Sequence, residues 1–276
     1  MGDTVADAIR AAAAHLADTS DTARLDAEVL MAHALGVTRS DLLLRRLRDP
    51  APAGFAALVD RRARHEPVAY ITGRQEFHGL DLAVTPDVLI PRGDSEVVVD
   101  AALAARPGAA RVLDCGTGSG ALLLAVLAAL PGASGVGSDR SAPALAVATG
   151  NAARLGLSDR ARMLLADWSV PGWADDLGRF DLILANPPYV EEAADLAPSV
   201  RAHEPAGALF AGADGLDAYR VLVPQLPALL APGGVAVVEI GWTQADAVCA
   251  LARAAGFAAT VHPDLAGRPR AIEMRG

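Results

Sequence analysis

Lysine is missing from this 276-residue chain. All 24 of its basic side chains are therefore arginine, set against 33 acidic ones for a formal charge of −9. An acidic chain without a basic tract is poorly suited to general binding of a phosphate backbone, although a local arginine patch stays compatible with it. Cysteine is scarce as well. Cys115 and Cys249 stand far apart and make neither a redox nor a metal-binding spacing, which fits a reducing cytoplasm. The six histidines show no paired ligand spacing, so neither a metal nor a histidine base is assigned. No apolar run reaches the ~18 residues of a membrane span. The N-terminus, with Asp3 and Asp7, lacks the basic-then-apolar order of an export signal. No internal repeat is visible. What is present is 52% hydrophobic residues, enough for a sizeable core, at a length that suggests about two domains.

Residues 1–67 read as a small helical bundle. Leu25, Val29 and Ala32 recur at i, i+4 and i+7, one face of a helix. Asp21 or Thr22 is placed to cap its start and Gly36 to end it. A short helix from Thr38 to Leu47 and another around Phe55, Leu58 and Val59 follow. The bundle either packs on itself alone or docks a partner through a positive face of Arg39, Arg45, Arg46, Arg48, Arg61, Arg62 and Arg64. Residues 68–92 read as a β-hairpin linker, in which Phe77, Leu80, Leu82 and Val84 partly alternate around a turn at Gly79. The segment Ile90-Pro91-Arg92-Gly93-Asp94-Ser95-Glu96 is either a helix-entry turn or a lid over a cofactor. Asp94 or Ser95 is expected to cap the helix from Val97 to Ala105.

Residues 93–276 then alternate strand and helix, which argues for a mostly parallel sheet covered on both faces. Strands are expected at Ala110–Asp114, Gly135–Ser138, Ala161–Ala166, Phe180–Ala185 and Val235–Ile240, with Ala258–His262 and Ala271–Met274 as a closing pair. Ser141 is expected to cap a helix that has Pro143 in its first turn.

Candidate ligand groups fall at successive strand ends. Gly116-Thr117-Gly118-Ser119-Gly120 joins the first strand to a helix, where glycine lets backbone approach a ligand. About twenty residues on, Asp139 holds the position that grips a ribose. A nicotinamide cofactor would suit those two features as well. However, Gly120 comes two positions after Gly118 rather than three, so a pyrophosphate grip is less supported and a sulfonium nucleoside suits the loop better. Trp168 serves either core packing or an adenine plane, with Asp167 accepting from the adenine amino group. Asp114 either caps its strand end, anchors the loop or meets an amino-acid moiety.

The chain is organised around Asn186-Pro187-Pro188-Tyr189. It follows the apolar run Phe180–Ala185, and its two prolines end the strand because neither donates to a ladder. An amide and an aromatic ring are thereby left at the C-terminal rim of a sheet, where open α/β sheets bind ligands. Such a corner fits transfer to a planar nitrogen. The lone pair of an amide is delocalised, and two acceptors gripping its N–H groups would turn it out of plane. The Asn186 side chain and the Pro187 backbone each offer a carbonyl. With Tyr189 packed on the amide plane, a methyl carbon held at roughly 3–3.5 Å would complete a near-attack arrangement.

Taken together, these residues resemble the bacterial protein-(glutamine-N5) methyltransferases that modify peptide chain release factors. The likeness runs through Leu25-Asp26-Ala27-Glu28-Val29-Leu30, Glu66-Pro67-Val68-Ala69-Tyr70-Ile71-Thr72-Gly73 and Ile90-Pro91-Arg92. It continues through the Asp114–Gly120 loop, Asn186–Tyr189, Glu204-Pro205 and the Asp264–Arg270 segment. Gly93-Asp94-Ser95 departs from the family's usual Pro-Asp-Thr. The resemblance implies a Rossmann-like class I methyltransferase with a seven-stranded, mostly parallel sheet, a helical substrate-docking domain and a hairpin linker. It implies S-adenosylmethionine on Gly116, Thr117, Gly118, Ser119, Gly120, Asp139, Trp168 and Asn186, to which the residue reading adds Asp167. It puts the glutamine amide of a Gly-Gly-Gln loop on Asn186, Pro187, Pro188 and Tyr189, with Asn186, Pro187 and Tyr189 carrying the catalysis. A cytoplasmic monomer acting on release factors in translation termination is expected, without direct contact to nucleic acid or membrane. The rivals are an amino methyltransferase of DNA or RNA, which would have to flip out a base, a sister enzyme acting on a ribosomal protein, and a cofactor-binding scaffold without catalysis.

Overall fold

The computed structural model describes residues 4–276; Asp3, used above to judge the N-terminus, lies outside them. The chain forms two compact units. One runs up to Arg74 and takes in Leu196–His203. The other holds Gln75–Asp195 and Glu204–Gly276.

The first unit is helical, with helices Val5–Leu16, Ala23–Leu35, Phe55–Ala63 and Val68–Thr72. Arg39–Asp41 adds a short turn that widens into a π-helix over Leu42–Arg46. Thr4 caps the first helix by accepting from the Asp7 amide, and Gly36 ends the second at φ 65°. Val5, Ile9, Leu16, Ala27, Leu30, Met31, Phe55, Val59 and Ile71 form its core. Four expectations are corrected here. The buried face of Ala23–Leu35 is Ala27, Leu30, Met31 and Ala32; of the expected stripe Ala32 is buried, whereas Leu25 is 44% exposed. Two acids, Asp26 and Glu28, are buried on that helix, and an apolar count does not register them. Thr22 makes no cap; its hydroxyl donates to Asp26 instead. Nor do the arginines form a uniform positive face. Arg39 pairs with Glu28, Arg45 with Asp41, Arg46 with Asp49, Arg61 with Glu66 and Arg62 with Asp26. Burial pushes the Glu28 carboxyl up, but Arg24 and Arg39 together hold it below the usual range. Residues 68–72, assigned above to the hairpin segment, are helical.

A hairpin of β1 (Arg74–Phe77) and β2 (Leu80–Ala83) follows, with all but its first residue in the second unit. The sheet of that unit holds β3 (Arg111–Cys115), β4 (Ser134–Asp139), β5 (Ala161–Leu165), β6 (Phe180–Ala185), β7 (Leu230–Glu239), β8 (Ala258–Pro263) and β9 (Pro269–Arg275). The seven strands lie in the order β5-β4-β3-β6-β7-β9-β8. Neighbours from β5 to β7 pair in parallel, and β9 runs antiparallel to both β7 and β8. Alternation along each strand splits the core in two. Val112, Leu182, Leu184, Val235 and Val237 pack with the helices Glu96–Ala105 and Ala121–Ala129. Leu113, Ile183, Ala185, Ala236 and Val238 pack on the other face with Asp217–Leu222 and Ala245–Ala254. Leu122–Leu127 are buried all round, because that helix is enclosed between sheet and neighbours. The Ser141 cap forms through the Ala144 amide at 3.2 Å. The cap expected of Asp94 or Ser95 does not. Gly93–Ser95 is a 3-10 turn leading into Glu96–Ala105, and neither side chain caps the helix. The strand expected at Val235–Ile240 begins earlier, at Leu230, because the pairing with β6 continues past an irregularity between Phe180 and Leu182.

Candidate active site

The parallel strands end on one rim, and the loops after β3, β4, β5 and β6 line a common cavity of about 440 Å³ within the second unit. Gly116, Thr117, Gly118, Ser119, Asp139, Asp167, Trp168, Asn186 and Pro188 are on its wall. Gly120, Pro187 and Tyr189 are not. Gly120 is the N-cap of Ala121–Ala129 at φ +85°, and a Cβ there would come within 2.9 Å of Leu124, so its smallness serves helix packing. Pro187 is buried and Tyr189 half-buried beside the cavity.

The glycine loop is shaped by its own neighbours. The amides of Gly116 and Thr117 both donate to the Ser138 carbonyl, at 2.8 and 2.9 Å. The Gly118 amide donates to Asp139 Oδ2, and the Ser141 amide to Asp139 Oδ1, each at 2.9 Å. Each Asp139 oxygen keeps a further lone pair. Gly116 sits at φ +75°, and a Cβ on it would meet the Trp168 ring at 3.0 Å. The glycine therefore lets the indole lie against the loop. Asp167 accepts from the amide and hydroxyl of Ser169 through Oδ1, which holds its carboxyl below the usual range. Beneath the loop, Asp114 is 1% exposed. Thr117 donates to its Oδ2 at 2.6 Å, while Oδ1 has no partner among the described residues. Burial pushes this carboxyl up to about 7 against the pull of the Thr117 hydroxyl.

The acceptor corner is held from farther away. Among the described residues no group hydrogen-bonds the Asn186 carboxamide, which faces the cavity. The Tyr189 hydroxyl donates to Glu239 Oε1 at 3.4 Å, and its carbonyl accepts from Gln244 at 3.0 Å. The Val190 amide donates to the Leu209 carbonyl at 2.8 Å. The Ile90–Glu96 segment also reaches the cavity, through Pro91 and Ser95. Glu204, named above only among the stretches that carry the resemblance and given no role there, is buried and accepts from the Ile90 amide and the Arg92 guanidinium. Glu239, Gln244 and Glu204 are the residues that reading the sequence missed. Each acts on a partner 50 or more positions away, and no local pattern marks that.

The cavity fits S-adenosylmethionine on grounds of its own. Trp168 offers a flat face, Asp139 keeps a lone pair on each oxygen at the cavity wall, and the spare oxygen of Asp114 is buried under the loop. This sheet order, with the cavity at its strand ends, defines a class I methyltransferase that depends on S-adenosylmethionine. A model described as a methyltransferase domain matches residues 108–259, and one described as the PrmC N-terminal domain matches residues 7–73. The release factor glutamine methyltransferase of Cereibacter sphaeroides is 46% identical over 280 residues, covering 98% of each chain. That of Caulobacter vibrioides is 47% identical over 243 residues, covering 86% of this chain and 83% of its own. A solved O-methyltransferase family protein from Burkholderia thailandensis aligns at a TM-score of 0.49 and 16% identity over 66% of this chain and 56% of that one, too distant to add to the assignment. The chain belongs to the release factor glutamine methyltransferase family. Among the described residues no helix is long and apolar enough to cross a membrane.

Proposed function

We propose that this enzyme methylates the side-chain nitrogen, N5, of the glutamine in the Gly-Gly-Gln motif of peptide chain release factors, in the cytoplasm, as a monomer and without direct nucleic-acid contact. The observation that carries this is the Asn186 carboxamide, which faces the same cavity as the glycine loop with its hydrogen-bonding groups unclaimed among the described residues. The names of the relatives supply the substrate class.

Bound in the cavity, S-adenosylmethionine supplies a methyl carbon already activated by its sulfonium. Gly116, Thr117, Gly118 and Ser119 bring backbone to the ligand, Asp139 accepts from the ribose hydroxyls, and Trp168 and Asp167 hold the adenine. Gly120 contributes by closing the helix onto the loop. Asn186 Oδ1 accepts one amide hydrogen of the glutamine and the backbone carbonyl of Pro187, whose ring is buried beside the cavity, accepts the other, leaving the nitrogen lone pair aimed at the donor. Pro188 walls the entrance, and Tyr189 fixes the corner from beside it. Transfer would be direct and in line: the glutamine nitrogen, held by Asn186 and Pro187, would take the methyl while the bonding pair stays with the donor sulfur, and its strongly acidic proton would pass to water. Orientation is the main contribution, a kind of effect that can reach ~7–11 kcal/mol. Mass spectrometry of a release factor incubated with enzyme and donor is expected to find one added methyl on the loop glutamine. Methyl found only on duplex DNA, or only on a ribosomal protein, would reassign the acceptor.

A further inference from the structure

Glu239 ends β7, beside the acceptor corner. The parallel register pairs Ala185 with Val238, so Glu239 stands level with Asn186 and, by alternation, on the same face of the sheet. It is 1% exposed. Its backbone carbonyl accepts from the Tyr219 hydroxyl at 2.9 Å. Of its carboxylate, Oε1 faces the Tyr189 hydroxyl; Oε2 and the Ser95 hydroxyl, which is near enough to pull the carboxyl down, fall short of full hydrogen-bond geometry. A buried carboxylate left half-satisfied is expensive unless its charge is used. Building on the function proposed above, we propose that Glu239 is a positioning residue for methyl transfer: its ionised carboxylate makes the Tyr189 phenol a donor and so fixes the Asn-Pro-Pro-Tyr corner.

Ionised, a carboxylate only accepts, so the phenol hydrogen must point at Glu239 and the ring takes one orientation. Protonated, Glu239 becomes a donor itself, and that constraint is lost. The surroundings place the change close to neutrality. Burial pushes the Glu239 carboxyl up to about 7; the Ser95 hydroxyl, the Arg270 guanidinium and the Tyr189 hydroxyl oppose that, and Asp94 adds to it. Arg270 is shared, donating to Asp94 at 3.1 Å and to Asp264 at 3.3 Å, so its charge is only partly available. Burial, then the charge of Glu239, push the Tyr189 phenol well above its usual range, with Arg270 and Arg92 opposing, and the phenol therefore stays protonated. Tyr219 is likewise held protonated, by burial first.

Glu239→Gln keeps shape and hydrogen bonding and removes only the charge, so it separates positioning from plain packing. In the full chain, with a release factor as acceptor, kcat is expected to fall roughly tenfold, the difference between a charge-assisted and a neutral hydrogen bond. Donor affinity should stay unchanged, and the wild-type loss of rate between about pH 8 and about pH 6, centred on the Glu239 titration, should flatten. Tyr189→Phe should match that loss, and the double variant should lose no more than either single one. Multiplying losses, or an unchanged acid limb in Glu239→Gln, would overturn the proposal. A second measurement needs no acceptor: the Glu239 carboxyl, followed by carbon-13 NMR, should titrate higher in Tyr189→Phe than in wild type. An unmoved titration would overturn the coupling even if Glu239→Gln does not fold. A wild-type enzyme that leaves release factors unmodified would instead refute the proposed function while this readout still decides the coupling.

Discussion

The donor side and the acceptor corner share one rim of one sheet, yet they are built differently. The donor side is held largely through backbone groups: the Gly116 and Thr117 amides reach the Ser138 carbonyl, and the Gly118 and Ser141 amides reach Asp139. The acceptor corner is fixed by Glu239 and Gln244, 50 and 55 positions beyond Tyr189. Each side nonetheless rests on one buried acid with an unpartnered oxygen, Asp114 below the glycine loop and Glu239 beside the corner. A donor common to many reactions can be held by a backbone-built cradle. An acceptor that differs from enzyme to enzyme needs a corner whose aim is set by side chains from several strands.

The sharpest way to break that division is Asn186→Ala. Turnover on a release factor is expected to fall by at least about 100-fold, since misplacing a reacting group by an ångström has that effect. Donor affinity, measured by calorimetry, should change little. A comparable loss of donor affinity would show that the two sides are not separable. Gly116→Ala should do the opposite. It forces a side chain into φ +75° and against the Trp168 ring, and the left-handed backbone alone costs about 1–2 kcal/mol. Donor binding should weaken roughly tenfold, with most of kcat recovered at saturating donor. Loss of kcat at saturation would place Gly116 in the chemistry.

The same division explains how much of the site could be read from the sequence. Strand ends, the glycine loop and the proline stop after β6 are local signals, and each stands where the alternation of strand and helix put it. The Ser141 cap and the closing pair β8–β9 were legible for the same reason. The face of Ala23–Leu35 was legible only in part: Ala32 is buried as the spacing had it, but Asp26 and Glu28 lie buried against arginines while the same spacing picked out the exposed Leu25. Ser95 fits a cap by residue type, but its hydroxyl is turned into the interior, where Glu239 and Arg270 arrive from β7 and β9. Glu204 carried no local sign of a role because its partners, Ile90 and Arg92, lie more than a hundred positions earlier. Long-range polar pairing leaves no periodicity behind, and it is the part of the acceptor corner that only the fold reveals.

The smallest expected effect tests whether the donor-side acid behaves as its burial requires. A carboxyl held above its ordinary value in the folded state binds its proton more tightly there than in the unfolded chain. The stability it contributes is therefore full below the unfolded value, near 4, and is lost as pH rises through about 7. Asp114→Asn cannot ionise and can still accept from Thr117. Without donor, the wild type is expected to lose Tm between about pH 5 and about pH 8 faster than the variant does, by about 2–4 °C for each kcal/mol. Glu239 is raised by burial as well, so some slope should persist in Asp114→Asn. Parallel Tm curves for the two proteins would mean that Asp114 ionises in the fold as it does in water, and that the loop above it is held by Thr117 alone.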